Sequence, residues 1–430
     1  MPSTLSLLNK RRFLPLFVTQ YLNAFNDNFY KMAMVVLITY TIVQGGEAEE
    51  AYYNAWAAAI FILPFFLLSA VSGQLADSLD KAAIVRWVKT AEIGIMLVGA
   101  AGIWLHSIPM MFLALFAMGV HSTFFGPIKY GVLPQHLEPD EVLGGTGLVE
   151  AGTYIAILTG TIVGGILPAQ YSAIGVIIVA LIGRVTAQYV PPAPPEDDAP
   201  SSKIDWNIFR SSWRLVRDTM HIPRLFMAII AISFFWAIGA VLAAQFPPMV
   251  KSGLGGDQTV ATLFTAIFSV GIAIGSIAIN RILKGRVSAA YAPGSVIVMG
   301  LFVLLLWWCV KGWVPVEGTL GEGGTLLNYR QFLAIPQGDM ILASLLGIAI
   351  AGGMFVVPLY AFLTTTVEKS QTARTIAANN IVNSGAMVIG TLVYGALAAS
   401  GVSIADTLFL IAAACVVSAW IAHKLHKTCD

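Results

Sequence analysis

The chain has 430 residues, 57% of them hydrophobic and only 11% charged, with a formal net charge of +1. Soluble globular domains carry about 25% charged residues, so this composition excludes an ordinary soluble enzyme and predicts an all-α membrane protein that crosses the bilayer repeatedly. The small net charge supplies no global field for nucleic acid, and Cys309, Cys415 and Cys429 have neither metal nor redox spacing, so no metal or other cofactor is expected.

The N-terminal "MPSTLSLLNKRRF" has basic residues but no short apolar core with a small-residue cleavage site, so the first helix is expected to be retained. A span needs about 20 mostly apolar residues. Twelve stretches qualify: 13–43, 53–76, 82–105, 108–130, 142–168, 170–190, 223–250, 258–283, 288–310, 339–366, 373–400 and 403–424. Residues 311–338 are Gly-rich and end in "IPQGD", which predicts an irregular loop.

Helix 1 carries "YLNAFNDNFYKMAMVVLI". Gln20, Asn23, Asp27 and Lys31 fall at intervals of three, four and four and so share one face. Asp27 comes 14 residues after Phe13, about 21 Å into the span at 1.5 Å per residue. A charge at a helix centre costs about 2.5–3.5 kcal/mol on the insertion scale, and such residues mark pathways or cavities. The alternative is an Asp27–Lys31 pair that merely neutralises itself, but two leucines would be cheaper there. Asn23, Asp27 and Lys31 are therefore candidate substrate-binding residues.

Between helices 2 and 3, "GQLADSLDKAAIVR" resembles the loop signature of major facilitator transporters through Gly73, Asp77, Lys81 and Arg86. Gly73 is expected to let helix 2 approach a neighbour, and Asp77 to cap a facing helix N-terminus. The second half keeps the spacing as Ser276, Asn280 and Lys284. Helix 4 holds His121, read as a hydrogen-bonded packing histidine, and Lys129, which is either a substrate contact or a snorkelling end residue. Helix 5 holds Glu150 in "GLVEAGTY" and then "AILTGTIVGG". Small residues at that spacing let helices pack backbone to backbone, so Gly160, Gly164 and Gly165 are expected to form a sliding contact, with Gly271 and Gly275 of helix 8 as the facing surface.

Residues 190–203, "VPPAPPEDDAPSSK", interrupt helix formation. Beyond them Trp206, Phe209, Trp213, Val216 and Met220 recur at helical spacing, with Arg210, Arg214 and Arg217 off that stripe, as in an interfacial amphipathic helix. In helix 7, Gln245 precedes Pro247 and Pro248, which are expected to break the helix. In helix 11, "AANNIVN" places Asn379, Asn380 and Asn383 inside a span.

Two halves are visible in the sequence. "TGTIVGG" at 159–165 matches "IGTLVYG" at 389–395, and Pro127 corresponds to Pro358. The expected organisation is a six-helix bundle over 1–190, a cytoplasmic linker with an amphipathic helix over 191–222, and a second six-helix bundle over 223–430, the parallel-halved plan of major facilitator transporters. Loop basic residues such as Lys10, Arg11, Arg12, Lys81, Arg86, Arg184, Arg214, Arg224 and Lys424 gather on one side, while only Lys251, Lys311 and Arg330 fall on the other. Both termini are therefore expected in the cytoplasm.

Taken together, "FNDNFYK", "GQLADSLDK", "FGPIKYGVLP", "GTGLVEAGTYIAILTGTIVGG" and "GGMFVVPLYAFL" resemble the bacterial lysophospholipid transporter family of the major facilitator superfamily, over nearly the whole length. The resemblance implies a flippase of the bacterial inner membrane, not an enzyme. It would move lysophosphatidylethanolamine and related lysolipids from the outer to the inner leaflet, where an acyltransferase/acyl-carrier-protein synthetase re-acylates them. It also implies membrane lipids as surroundings, a monomer, and Asp27, Lys129 and Glu150 as the matching deep acidic, helix 4 and helix 5 positions. Many relatives carry the enzymes fused behind the transporter, whereas this sequence stops at "HKLHKTCD", as a free-standing or excised transporter would. Some members have an arginine in helix 7 after "FFW", where this chain reads "AIGAVLAAQF", leaving Lys31 and Lys129 as candidates for the lipid phosphate. Gln245, Asn380 and Asn383 complete the expected substrate set. The other readings are a major facilitator exporter of drugs or other amphiphiles, with Asp27 and Glu150 carrying protons, and a membrane anchor for an acyltransferase. Helix 4, "MFLALFAMGVHSTFF", lacks the arginine common in drug antiporters, and no Gly-rich lysine loop points to ATP.

Overall fold

The computed structural model describes residues 4–44, 46–138, 141–195, 204–283, 289–316, 324–365 and 369–429. A 3₁₀ turn (Thr4–Asn9) leads into α1 (Leu14–Leu37), which widens into a π-helix over Ile38–Ile42. Then follow α2 (Glu47–Ser78), α3 (Lys81–Trp104), α4 (Ile108–Gly131), the short α5 (Leu133–His136), α6 (Val142–Ile166) and α7 (Ala169–Gln188). Past the linker come α8 (Ile208–Met220), α9 (Pro223–Pro248) with a π-helical end over Met249–Gly253, α10 (Gln258–Leu283), α11 (Ala292–Lys311), α12 (Tyr329–Leu333), α13 (Pro336–Thr365), α14 (Lys369–Ala399) and α15 (Ile404–Cys429).

Among the described residues nine helices are long and apolar enough to cross a membrane: α2, α4, α7, α9, α10, α11, α13, α14 and α15. The long helices α1, α3 and α6 occupy the expected spans 13–43, 82–105 and 142–168. α1 and α3 are less apolar because they carry the amide and charged side chains of the candidate site. The apolar part of α6 runs over Ala151–Ile166. Large apolar side chains such as Leu97, Trp104, Ile178, Leu301, Trp308 and Val416 lie exposed, while Lys89 and Glu92 are buried. Apolar outside and polar inside is the arrangement a hydrocarbon solvent selects.

The chain divides into two compact units, Met1–Leu37 with Leu63–Ser212, and Ile38–Ile62 with Trp213–Asp430. In the first, α1 packs along α6 and α7, and α3 along α4 and α7. Its core holds Phe13, Leu16, Val85, Phe125, Ile128 and Val149. In the second, α13 packs against α10 and α11, α11 against α15, and α9 against α14.

The glycine stripes serve these packings. A Cβ at Gly160 would lie 2.4 Å from the Phe25 carbonyl oxygen of α1, and one at Gly164 would lie 2.4 Å from that of Phe29. In the second unit a Cβ at Gly275 would lie 2.0 Å from the Ile350 carbonyl oxygen of α13, and Gly271 meets Ala349. This corrects the expectation that the helix 5 and helix 8 glycines face each other: each stripe is taken up by a helix of its own unit. Gly390, the repeat counterpart of Gly160, faces Ala237 and Val241 of α9. Gly165 is buried on the same helix. Gly73 is also corrected, because a Cβ there meets nothing within 4 Å and close approach does not require glycine. Gly160→Ala is expected to destabilise by about 1–3 kcal/mol through overpacking. Gly73→Ala is expected to stabilise by about 0.5–1 kcal/mol. Unfolding midpoints in detergent compare the two directly.

Between α2 and α3 the acid seen at work is Asp80. Its carboxylate caps α3 by accepting from the Ala82 amide at 3.1 Å, and it also accepts from the Ala193 amide at 2.8 Å. Arg86 lies 3.5 Å from it. Lys81 is buried, its amide donates to the Ala193 carbonyl at 3.0 Å, and its stem passes Gly131. The loop thus pins the start of the linker. The side chain of Asp77, like those of Asn280 and Glu150, lies outside the described residues, as do Lys284 and Arg286 altogether. At the start of α1, Lys10 pairs closely with Glu141 and Arg12 reaches Glu141 at 2.6 Å and Glu138 at 2.9 Å. The hydrogen bond from Lys10 is the chief reason the Glu141 carboxyl titrates below its ordinary value.

Pro247 and Pro248 do not break α9. The helix runs through both, with the Met249 amide bonding the Gln245 and Phe246 carbonyls, and continues as a π-helix over Met249–Gly253. Within the expected irregular loop 311–338 several described residues carry regular structure. Leu327 pairs with Gly256 in an isolated bridge, and Asn328 and Gln331 form a capping box on α12. Along α8 Phe209 and Trp213 are exposed beside Arg210 and Arg214, and Trp206 just before the helix is exposed as well.

At the far end of α1, the Lys251 ammonium donates to the carbonyls of Thr39 at 2.5 Å and Val43 at 3.3 Å, and pairs with buried Glu50 at 2.7 Å. Ser252 donates to the other Glu50 oxygen at 2.7 Å. The cation meets the carbonyl end of one helix, and the carboxylate sits in the first turn of the next, as each helix dipole prefers.

Candidate functional site

The polar face of α1 opens onto three neighbours in the first unit. Asn23 and Asp27 are buried. The Asn23 amide donates to Asp27 Oδ2 at 3.3 Å and Ser122 Oγ at 3.5 Å, and Ser122 of α4 donates a short hydrogen bond to the same Asp27 oxygen. Asp27 Oδ1 has no hydrogen-bond partner among the described residues. An intramembrane carboxylate is thus held firmly by one oxygen and offers the other. Lys31, one turn further on, is half-buried.

Behind Asn23 lies a fully buried ion pair absent from the sequence-level candidates. Lys89 and Glu92 of α3 are 0% and 1% exposed and are closely paired. Lys89 also donates to Asn23 Oδ1 at 3.5 Å. Glu92 Oε1 accepts from Asn26 at 2.8 Å, and Asn26 donates in addition to the Val176 carbonyl of α7 at 3.2 Å. His121 of α4 stands 3.5 Å from Glu92 Oε2 and 3.5 Å from Ser122 Oγ. It is therefore part of the network rather than an isolated packing histidine. A Cβ at Gly183 of α7 would lie 2.8 Å from Lys89 Cε, so glycine makes room for the lysine stem. These residues bind α1, α3, α4 and α7 through one polar chain, in which each asparagine amide is oriented by a charge at one end.

Lys129 joins α1 by another route. Its ammonium lies 3.4 Å from Thr153 Oγ1 of α6, and Thr153 donates to buried Gln20 of α1 at 2.8 Å. Glu150 stands one turn before Thr153 on α6. The first unit therefore links Gln20, Asn23 and Asp27 of α1 with Lys129 of α4, and adds Asn26, Lys89, Glu92, His121 and Ser122.

In the second unit Gln245 is fully buried and donates to Thr407 at 2.9 Å. Asn383 accepts from Ser233 at 2.7 Å and donates to Tyr360 at 3.3 Å, and Trp236 donates to the same hydroxyl at 2.8 Å. Asn380 is exposed on α14, whereas Asn379 is fully buried and neither of its amide atoms has a hydrogen-bond partner among the described residues.

Long helices with exposed apolar flanks and an ionised interior define a multi-pass membrane protein of the helical transporter class. The chain belongs to the Major Facilitator Superfamily, whose family model matches residues 16–320. It is 26% identical over 427 residues to a protein of Escherichia coli named lysophospholipid transporter LplT, covering 95% of each chain. A Shigella boydii protein of the same name is 25% identical over the same length and coverage. Among solved structures it is similar in fold to the nucleoside transporter NupG, with a TM-score of 0.67 at 13% identity, covering 97% of this chain and 100% of that one. The POT family transporter PepTSo gives a TM-score of 0.70 at 12% identity, covering 98% and 99%.

Proposed function

We propose that the chain is a lysophospholipid transporter of the bacterial inner membrane, with both termini in the cytoplasm, working by alternating access between six-helix halves at 1–190 and 223–430. The observation that carries this reading is the buried, unpartnered Oδ1 of Asp27 inside a membrane-spanning unit, on a helix that Gln20 and Thr153 connect to the Lys129 ammonium. A phosphoethanolamine head group has a cation for the first and an anion for the second. Similarity to proteins named as lysophospholipid transporters along 95% of the chain supports the same substrate class. A single acyl chain makes extraction from the bilayer feasible, since burial is worth about 0.8 kcal/mol per methylene and a second chain doubles it. Lysophosphatidylethanolamine and related lysolipids move from the outer to the inner leaflet, and a separate acyltransferase/acyl-carrier-protein synthetase consumes them. The protein acts as a monomer. Asn23, Lys31, Glu150, Gln245, Asn380 and Asn383 complete the substrate path, with Asp77, Lys81 and Arg86 in the gating loop.

Purified protein in liposomes is expected to transfer labelled lysophosphatidylethanolamine between leaflets at a rate well above diacyl phosphatidylethanolamine, with lysophosphatidylglycerol in between. Equal rates for one-chain and two-chain lipids, or none above protein-free liposomes, overturn the reading.

A further inference from the structure

The linker helix turns its largest side chains away from the protein. At 3.6 residues per turn, Phe209 and Trp213 of α8 lie about 40° apart, and Arg217, Arg210 and Arg214 follow at about 80°, 100° and 140° from Phe209. This arc is open: Phe209 is 73% and Trp213 68% exposed, and the three arginines are exposed as well. Trp206, just before the helix, is 65% exposed. The other side, with Ser211, Ser212, Leu215 and Thr219, is half-buried or buried. A surface helix in water does the reverse, with its apolar stripe toward the core and its polar side chains outward. Neighbouring aromatic rings left in the open mark an interaction surface.

Both ends of α8 place that surface at the membrane boundary. Its last residue, Met220, is joined to α9 through His221 and Ile222, a link of at most about 11 Å. α9 begins a span at Pro223, and Phe226 in its first turn is exposed. At the other end the Asp205 amide donates to Gln74 Oε1 at 2.8 Å, two residues before the end of the span Glu47–Ala76. Asn207 then caps α8 by accepting from the Arg210 amide at 2.9 Å. The helix has 13 residues, so it is about 20 Å long. A rod fastened at both ends to the ends of spanning helices lies along the membrane surface.

The charges say which lipid covers it. Between Ile204 and Phe226 the chain has Arg210, Arg214, Arg217 and Arg224 against Asp205 and Asp218. Arg210 pairs with Asp205 at 2.8 Å and Arg217 with Asp218 at 3.0 Å, whereas Arg214 has no ion pair among the described residues. Exposed pairs of this kind are weak, and a guanidinium fork matches phosphate oxygens. We propose that α8 is a membrane-surface helix that binds anionic phospholipid, with Trp206, Phe209 and Trp213 at the acyl boundary and Arg210, Arg214 and Arg217 on lipid phosphates. The proposal requires that the chain span a membrane, and is independent of which lipid it transports.

Two measurements on the full chain test it. Phe209→Cys and Asp218→Cys, each in a Cys429→Ser background because Cys309 and Cys415 are buried, carry a spin label in liposomes of phosphatidylcholine mixed with phosphatidylglycerol. The label at 209 is expected to be relaxed by oxygen, and the label at 218, on the opposite side of the helix, by a water-soluble nickel complex. Equal nickel access at the two positions overturns the proposal. So does a 209 label shielded from both reagents, as it would be beneath a second copy or another protein. In the second measurement, purified protein is offered phosphatidylglycerol and phosphatidylcholine together, and bound lipid is counted by native mass spectrometry. Arg214→Gln is expected to cut the preference for phosphatidylglycerol about fivefold, the effect of one basic residue at an anionic surface. Replacing Arg210, Arg214 and Arg217 together by Gln is expected to cut it further. A wild type without that preference, or a preference unchanged in the variants, overturns the anionic-lipid assignment. Should the triple variant not fold, Arg214→Gln decides, since it breaks no described ion pair.

Discussion

Lys89→Ala is expected to lower the stability of the purified protein by about 3–5 kcal/mol, the penalty for leaving one member of a buried ion pair without its partner. Lys89 and Glu92 are shut away from solvent, and the carboxylate is also gripped by Asn26. With the ammonium gone, Glu92 keeps a buried charge faced by the Asn26 amide and the His121 ring. The double substitution Lys89→Met, Glu92→Leu removes both charges at similar volume and is expected to recover most of the loss, since hydrophobic replacement of a buried pair is often neutral or stabilising. Unfolding of all three variants in detergent, followed by tryptophan fluorescence, gives the comparison. A single variant as stable as the wild type would mean that water reaches the pair.

Asp27→Asn is expected to abolish lysolipid transfer while leaving the protein folded. Asparagine keeps the shape and still offers Ser122 an acceptor, but removes the charge that a head-group cation needs. Losing one partner of a buried charged contact costs about 2–5 kcal/mol, roughly thirtyfold to several thousandfold in affinity. Lys129→Ala is expected to act in the same direction at the phosphate end. Leaflet transfer by both variants, reconstituted at matched protein levels, measures the effect. Wild-type rates in both would remove Asp27 and Lys129 from the substrate path.

Much of the fold is readable in the sequence because the bilayer imposes so few solutions. Long apolar runs, the Pro-rich linker and basic loops on one side leave little choice beyond a helical, two-halved transporter, and Asp27 stands out because a charge at that depth is costly. The Lys89–Glu92 pair carries a comparable signal, opposite charges at i, i+3 within 82–105. It stands beside Lys81 and Arg86, which draw the reading to the loop signature between helices 2 and 3. His121 looks isolated in sequence because its partners come from α1 and α3, and no spacing rule on α4 reveals them. The glycine stripes show that close packing is needed, but not against which helix, since that depends on the rotation of the neighbour. Pro247 and Pro248 mislead for a local reason: two missing donors weaken a helix without ending it when the next amide, that of Met249, bonds back to Gln245 and Phe246.

The grip of Lys251 on Thr39, Val43 and Glu50 has a mechanical corollary. The segment it holds, Ile38–Ile62, belongs to the second compact unit although α1 and α2 continue into the first. Each rod changes allegiance at a soft joint, α1 where its regular turns give way to the π-helix at Ile38, and α2 beside Pro64. Bending falls most easily at these two short places, and the Asp27 network, eleven residues before the first of them, can stay rigid while its own helix bends.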